Sequence, residues 1–103
     1  MSDVFHLATP EQWATAQTTG IIAPPSLELE GFVHCSTEEQ LAGTIDRHFT
    51  GVDALALLRL DLTALGDDLR WDEVRPGQVY PHVYRAIRVD EVLDVRPWTR
   101  DPA

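Results

Sequence analysis

The run Glu30-Gly31-Phe32-Val33-His34-Cys35-Ser36-Thr37-Glu38-Glu39-Gln40 limits what this chain can fold into more than any other stretch. In an extended segment successive side chains point to opposite faces, so Phe32, His34 and Ser36 share one face while Val33 and Cys35 share the other. The run then passes directly into a helix start. Glu39 stands three residues after Ser36, and Gln40 three after Thr37, which gives two overlapping capping boxes with either hydroxyl as the N-cap. A helix start offers free backbone N–H groups and a positive dipole end, so an imidazole and a hydroxyl beside it suit an anion or sugar hydroxyls. The plainer reading leaves Ser36 as a cap alone and His34 as a hydrogen-bonded histidine inside the fold.

The same device occurs near the N-terminus. Val4 to Ala8 reads as a strand with Val4, His6 and Ala8 on one face and Phe5 and Leu7 on the other. Thr9-Pro10-Glu11-Gln12 then starts a helix, with a Thr cap, Pro at the first helical position and Gln three after the cap. Trp13 and Ala16 should point inward, and Gly20 should end the helix. His6 thus stands on a strand just before a capped helix, as His34 does.

Ile21 to Glu30 carries Pro24-Pro25-Ser26-Leu27 and reads as an extended loop, either covering a pocket or making a plain surface connection. Glu38 to Phe49 is the clearest helix, because Leu41, Ile45 and Phe49 recur at four-residue spacing, and Gly51 ends it. Arg47 and His48 suit the dipole at its C-terminus, so His48 is given no catalytic role. Asp53 to Leu62 changes to alternation at Leu58, Leu60 and Leu62, which predicts a central strand with a half-exposed far end. Thr63 to Gly66 is a turn or a single helical turn. Short strands follow at Leu69 to Val74, Val79 to Tyr84, Ala86 to Val89 and Val92 to Trp98, with a turn at Arg75-Pro76-Gly77-Gln78. Thr99 to Ala103 reads as a frayed tail. Helices early and antiparallel strands late define an α+β fold.

Two late segments carry chemistry. In Tyr80-Pro81-His82-Val83-Tyr84 the proline has no N–H for a ladder, which predicts an edge strand or a bulge. Tyr80, His82 and Tyr84 share a face and could stack on a flat ring such as a nucleobase or nicotinamide, or form a surface aromatic stripe. Arg70-Trp71-Asp72-Glu73 offers a cation, an aromatic ring and two carboxylates, with Trp71 and Glu73 on one face; the plainer reading is a solvated strand face.

At 103 residues and 44% apolar content the chain suits one domain, 1–103, around a single core. It contains no apolar run of about 18 residues to span a membrane and no export signal at its start, so a cytoplasmic protein is expected. The lone cysteine, Cys35, excludes an internal disulfide and reads as a small buried hydrophobe. The net charge of -9 comes from 17 acids against 8 bases, all of them arginines, which counts against nucleic acid as a partner. A short anionic ligand held by a local arginine remains compatible with it.

His6-Leu7-Ala8-Thr9, Pro24-Pro25-Ser26-Leu27, Gly31-Phe32-Val33-His34-Cys35-Ser36-Thr37 and Tyr80-Pro81-His82-Val83-Tyr84 resemble, in order and spacing, the DUF952 family of small bacterial proteins. That family in turn resembles the ADP-ribosyltransferase fold, and within it the tRNA 2'-phosphotransferase branch. The resemblance implies split antiparallel sheets with two helices in the N-terminal half, and two histidine strands lining a cleft for NAD or an ADP-ribosylated intermediate. Carried over by position, His6 holds a ribose hydroxyl, with Thr9 beside it, and His34 with Ser36 orients the sugar at the reacting carbon. Glu73 is the candidate for the late-strand glutamate of such enzymes, and Arg70, Arg59 or Arg47 for their phosphate-gripping arginines.

The resulting expectation is a cleft formed by His6, His34, Ser36 and His82 that binds NAD or a related nucleotide. Tyr80, Tyr84, Arg70 and Trp71 add ring and charge contacts, and the reaction is transfer or hydrolysis at the nicotinamide ribose. Orienting the sugar and supporting developing positive charge matter more to such a reaction than a strong base does. Two other readings stay open. One is a binding module without catalysis, for a small molecule or peptide; the other is a metal site made by His6, His34 and His82.

Overall fold

A computed structural model describes residues 3–100. In chain order the elements are β1 (Val4–Ala8), α1 (Pro10–Thr19), β2 (Ile21–Ile22), α2 (Pro25–Glu30), β3 (Val33–His34), β4 (Ser36–Thr37) and α3 (Leu41–His48). They continue with β5 (Ala54–Leu60), α4 (Leu62–Leu65), β6 (Leu69–Arg75), β7 (Gln78–Val83), β8 (Ile87–Arg88) and β9 (Val92–Thr99). The strands form a central sheet in the order β4-β1-β5-β9, a second sheet β3-β7-β6 and a small pair β2-β8, all antiparallel. This is a small α+β fold.

The central sheet is covered on both sides, which is why all five residues of β1 are buried. On one face Val4, Ala8, Leu58 and Leu60 pack against Ile22, Val33, Leu65, Val83 and Ile87. On the other, Phe5, Leu7, Leu55 and Leu57 meet Leu41 and Ile45 of α3. Strand alternation thus sorts the apolar residues into two layers, each fully buried Leu, Ile or Phe contributing about 1.5–3 kcal/mol.

The start of α1 follows its sequence signals. Thr9 Oγ1 accepts from Gln12 N at 3.1 Å and Gln12 Oε1 accepts from Thr9 N at 2.9 Å. Ala16 is buried and Trp13 half-buried, and Gly20 ends the helix at φ 87°.

The segment expected as an extended loop instead contains helix α2. Pro24 and Pro25 do not oppose it, because Pro24 lies before the helix in an extended conformation and Pro25 takes its first position, where the N–H has no partner to lose. Ser26 Oγ donates to Phe32 O at 2.9 Å and Leu27 packs against the core. Gly31, at φ 89°, lets the chain reverse into β3.

Other expectations change in detail. The chain after β4 enters one 3-10 turn, Glu38–Gln40, before α3. Of the two capping boxes, the Thr37 one forms: Thr37 N donates to Gln40 Oε1 at 3.0 Å, and Gln40 Nε2 reaches across to Val79 O at 2.7 Å. Leu62 lies outside β5, in α4, whose start is capped by Asp61. The strand holding Pro81 is neither an edge nor bulged at the proline; β7 is the middle strand of its sheet. The main-chain N and O of a strand residue point to the same side, and Pro81 O accepts from Cys35 N at 3.1 Å, so the missing N–H falls where the partner chain has already left the sheet. The expected frayed tail is anchored at its beginning. Thr99 belongs to β9, Arg100 N donates to Asp53 O at 2.8 Å, and the Arg100 guanidinium donates to the carbonyls of Val52 and Phe49; residues 101–103 lie outside the described part.

A buried ion pair closes the far end of the fold. Glu91, 1% exposed, takes two parallel hydrogen bonds of 2.8 Å from Arg85 and a third from Arg88 N at 2.9 Å. The Arg85 guanidinium holds the Glu91 carboxyl down at about 2, against an ordinary 4.5. A carboxylate held low in the folded chain stabilises fully above the unfolded value and loses that contribution as pH falls through the folded one. Urea melts should therefore show stability declining from about pH 4.5 toward 2. Glu91→Ala removes two charge-assisted hydrogen bonds from Arg85, which keeps Asp68, and leaves Arg88 N without its acceptor, so it should cost about 1–3 kcal/mol at neutral pH.

A histidine-lined cavity between two sheets

The chain changes sheets at Cys35. Val33 and His34 pair with Val83 and His82 in the second sheet, whereas Ser36 and Thr37 pair with Phe5 and Val4 in the central one. Because β4 covers only the first two residues of β1, the outer edge of β1 beyond Phe5 has no strand against it. A cavity of about 840 Å³ lies there, lined by His6 and Leu7 from β1 and by the loop and helix around Pro24–Glu30, α3 and the β6–β7 hairpin. This falls within the roughly 300–1,000 Å³ usual for small-molecule sites.

Four imidazoles line it: His6, His34 and His82 from the strands, and His48 from the end of α3, which was expected to have no catalytic role. His6 and His82 are buried and His34 is half exposed. His6 Nδ1 lies 2.8 Å from His34 O; a carbonyl can only accept, so Nδ1 carries the proton and Nε2 is left as an acceptor. Burial holds the His6 pKa below its ordinary value, which keeps the ring neutral. His82 Nδ1 lies 2.7 Å from Asp72 Oδ2, and the same oxygen accepts from Tyr84 Oη. The hydrogen bonds from Tyr84 and then His82 hold the Asp72 carboxyl below its usual range, and the bond to Asp72 raises the Tyr84 phenol. His34 Nε2 lies 2.7 Å from Glu30 Oε2, which lies four residues back on α2. Phe32 ties the rings together, stacked on His82 at 4.0 Å and 18° and edge-on to His34 at 4.9 Å. The His34 and His82 rings meet edge to face at 5.2 Å.

The other expected site residues divide. Ser36 lines the cavity but turns toward α3, its hydroxyl sharing a 2.9 Å hydrogen bond with Thr44. It therefore does not act as a cap. Tyr80 and Tyr84 line the wall with His82, Tyr80 receiving Arg47 at 2.6 Å and Tyr84 lying under the Arg70 guanidinium at 4.9 Å. The open face for ring stacking that this strand suggested is taken on His82 by the chain's own Phe32. Glu73 sits on the wall with its carboxylate accepting from Gly77 N at 3.1 Å, so it braces the hairpin turn, and Asp72 is the carboxylate beside an imidazole. Thr9, Trp71 and Arg70 are not among the lining residues: Thr9 is spent on its cap, and Trp71 is exposed. Arg59 is paired with Asp94 across β5 and β9, whereas Arg47 lines the cavity.

Asp72, Glu30, Phe32 and Arg75 also belong to the wall and were missed as functional residues. Asp72 had a signal, since it shares a strand face with Arg70, but its partner is ten residues away and only the hairpin register brings them together. Among the described residues no group of three or more His, Cys, Asp or Glu side chains is arranged to hold a metal ion. That arrangement gives the three-histidine metal reading no support. No described helix is long and apolar enough to cross a membrane.

The fold and the cavity define a small α+β protein with a histidine-lined cleft between two antiparallel sheets. The chain belongs to the DUF952 family, described as proteins of unknown function, whose model matches residues 7–95. No curated protein matches it. It is similar to the crystal structure of protein CC0527 from Caulobacter crescentus, with 29% identity and a TM-score of 0.89 over 98% of this chain and 90% of that one. The solution NMR structure of the same protein gives 30% identity and a TM-score of 0.85 over 99% of this chain and 89% of that one.

Cys35 is buried, and burial raises its thiol pKa well above the ordinary value. In the native protein it should therefore resist a thiol-specific reagent at pH 8, reacting at the full rate of a free thiol once the chain is unfolded in urea. Rapid labelling of the folded chain would show that the wall around Cys35 opens.

Proposed function

We propose that the cavity binds a nucleotide of the NAD or ADP-ribose type and, with NAD, catalyses transfer or hydrolysis at the nicotinamide ribose carbon. The observation that carries the reading is the convergence of His6 and His34, from strands in different sheets, on one cavity of ligand size. Buried neutral His6 offers an acceptor nitrogen suited to a ribose hydroxyl, and His34, oriented by Glu30, stands beside it. Arg47 and Arg75 lie on the same wall, and neither is paired with a carboxylate among the described residues, which suits them to an anionic diphosphate. The split arrangement of two antiparallel sheets around the cleft also agrees with an ADP-ribosyltransferase-like relationship. A cytoplasmic location, with access to NAD, is part of the same proposal. The excess of acidic residues favours a small ligand over RNA.

A second reading, a binding module without turnover, is favoured by one observation. Glu30, Asp72 and Glu73, the carboxylates on the wall, are each already hydrogen-bonded within the protein. None stands free to support an oxocarbenium-like charge.

Titration calorimetry with NAD and with ADP-ribose should give saturable heat for the wild type, with affinity lowered about tenfold or more, roughly 1.4 kcal/mol, in His34→Ala. No heat at millimolar ligand would remove the proposal. Slow loss of NAD on prolonged incubation selects the enzyme, and binding without loss selects the module.

A further inference from the structure

The Asp72–His82 pair has the form of a unit that accepts a proton, and it differs from the half-exposed Glu30–His34 pair in that its imidazole is buried. Asp72 stands on β6 and His82 on β7, and the hairpin sets their 2.7 Å contact through the pairs Arg70 with His82 and Asp72 with Tyr80. Asp72 also receives Tyr84 Oη, so its carboxylate is held in place from two directions. Phe32 fixes the plane of the imidazole by stacking at 4.0 Å. With the proton on Nδ1, the Nε2 of His82 keeps its lone pair. Among the described residues it has no hydrogen-bond partner and no buried side-chain nitrogen or oxygen lacks one, so this atom is open to the cavity that His82 lines. Besides Asp72 and Tyr84, the titratable or charged groups around the ring are His34 on β3, with Glu30 of α2 behind it, Arg70 of β6 above Tyr84, and His6 on β1.

We infer that His82, oriented by Asp72, is the general base that activates the acceptor at this site, a water molecule or a small hydroxyl compound. The inference rests on the proposed cleavage of NAD. As the acceptor oxygen bonds to the nicotinamide ribose carbon, His82 Nε2 takes its proton. The bond from that carbon to the nicotinamide nitrogen breaks, its electron pair leaves with the ring, and nicotinamide departs neutral. Asp72 balances the charge of the imidazolium until the proton passes to solvent. The products are ADP-ribose, or its conjugate with the acceptor, together with nicotinamide and one proton. Asp72 acts through His82 and is a positioning residue.

Two measurements test this. Nitrogen NMR of the imidazole rings in the ligand-free protein should place the His82 proton on Nδ1, and Asp72→Asn, nearly the same shape, should disturb that tautomer while the protein still melts cooperatively. In turnover, His82→Gln should slow NAD loss at saturating NAD by about 10²–10⁴-fold, and Asp72→Asn should slow it by about tenfold or more. A wild-type proton on Nε2, or wild-type turnover in His82→Gln, overturns the dyad alone. If His82→Gln does not fold, wild-type turnover in Asp72→Asn does the same. A wild type that binds ADP-ribose yet never consumes NAD overturns the proposed reaction, and this inference falls with it even where the tautomer is as stated.

Discussion

A partly buried hydrogen bond, from His6 Nδ1 to the main-chain carbonyl of His34 at 2.8 Å, links the two larger sheets of this protein beside the core that they share. It reaches from β1 in the central sheet to β3 in the second, across the point where the chain steps between them at Cys35. At that step Cys35 N is still held by Pro81 O of the second sheet. Both bonds lie beside the open edge of β1, where His6, His34 and Cys35 line the cavity. A side chain that fixes a backbone crossing while presenting its other nitrogen to the cavity serves the fold and the site at once.

The electrostatic arrangement follows from that placement. Three of the cavity's imidazoles each meet one fixed acceptor: a carbonyl for His6, Glu30 for His34 and Asp72 for His82. Such contacts decide which ring nitrogen holds the proton before any ligand arrives, so little reorganisation remains for the moment of binding. The carboxylates are consumed in doing so. In a chain with a net charge of -9 this leaves Arg47 and Arg75 as the side of the wall most open to an anion.

Where a signal was local, the sequence could be read. The box at Thr9 and Gln12, the four-residue spacing of Leu41, Ile45 and Phe49, the hairpin turn at Gly77 and the alternation along β1 and β5 all depend on neighbours a few positions away. The histidines too could be singled out, from their places before helix starts and between two tyrosines. Proline misled twice. At Pro24 and Pro25 it marks a helix start and not a loop, and at Pro81 it sits in a middle strand. In both places the lost N–H faces a position where no acceptor was waiting, and that depends on what lies alongside.

By itself the sequence determined that this would be an α+β protein with apolar layers set by strand period, a buried Cys35 and three histidines set on strands. Propensity, capping and alternation act within a few residues and need no fold to operate. Only the tertiary structure decided that Ser36 belongs to a different sheet from His34, that Phe32 covers His82, and that Asp72 rather than Glu73 stands beside an imidazole. Those outcomes come from strand register and from which sheet each strand joins. One residue of shift exchanges the two faces of a strand, so the pairing across space, and not the order along the chain, chose the residues that face the cavity.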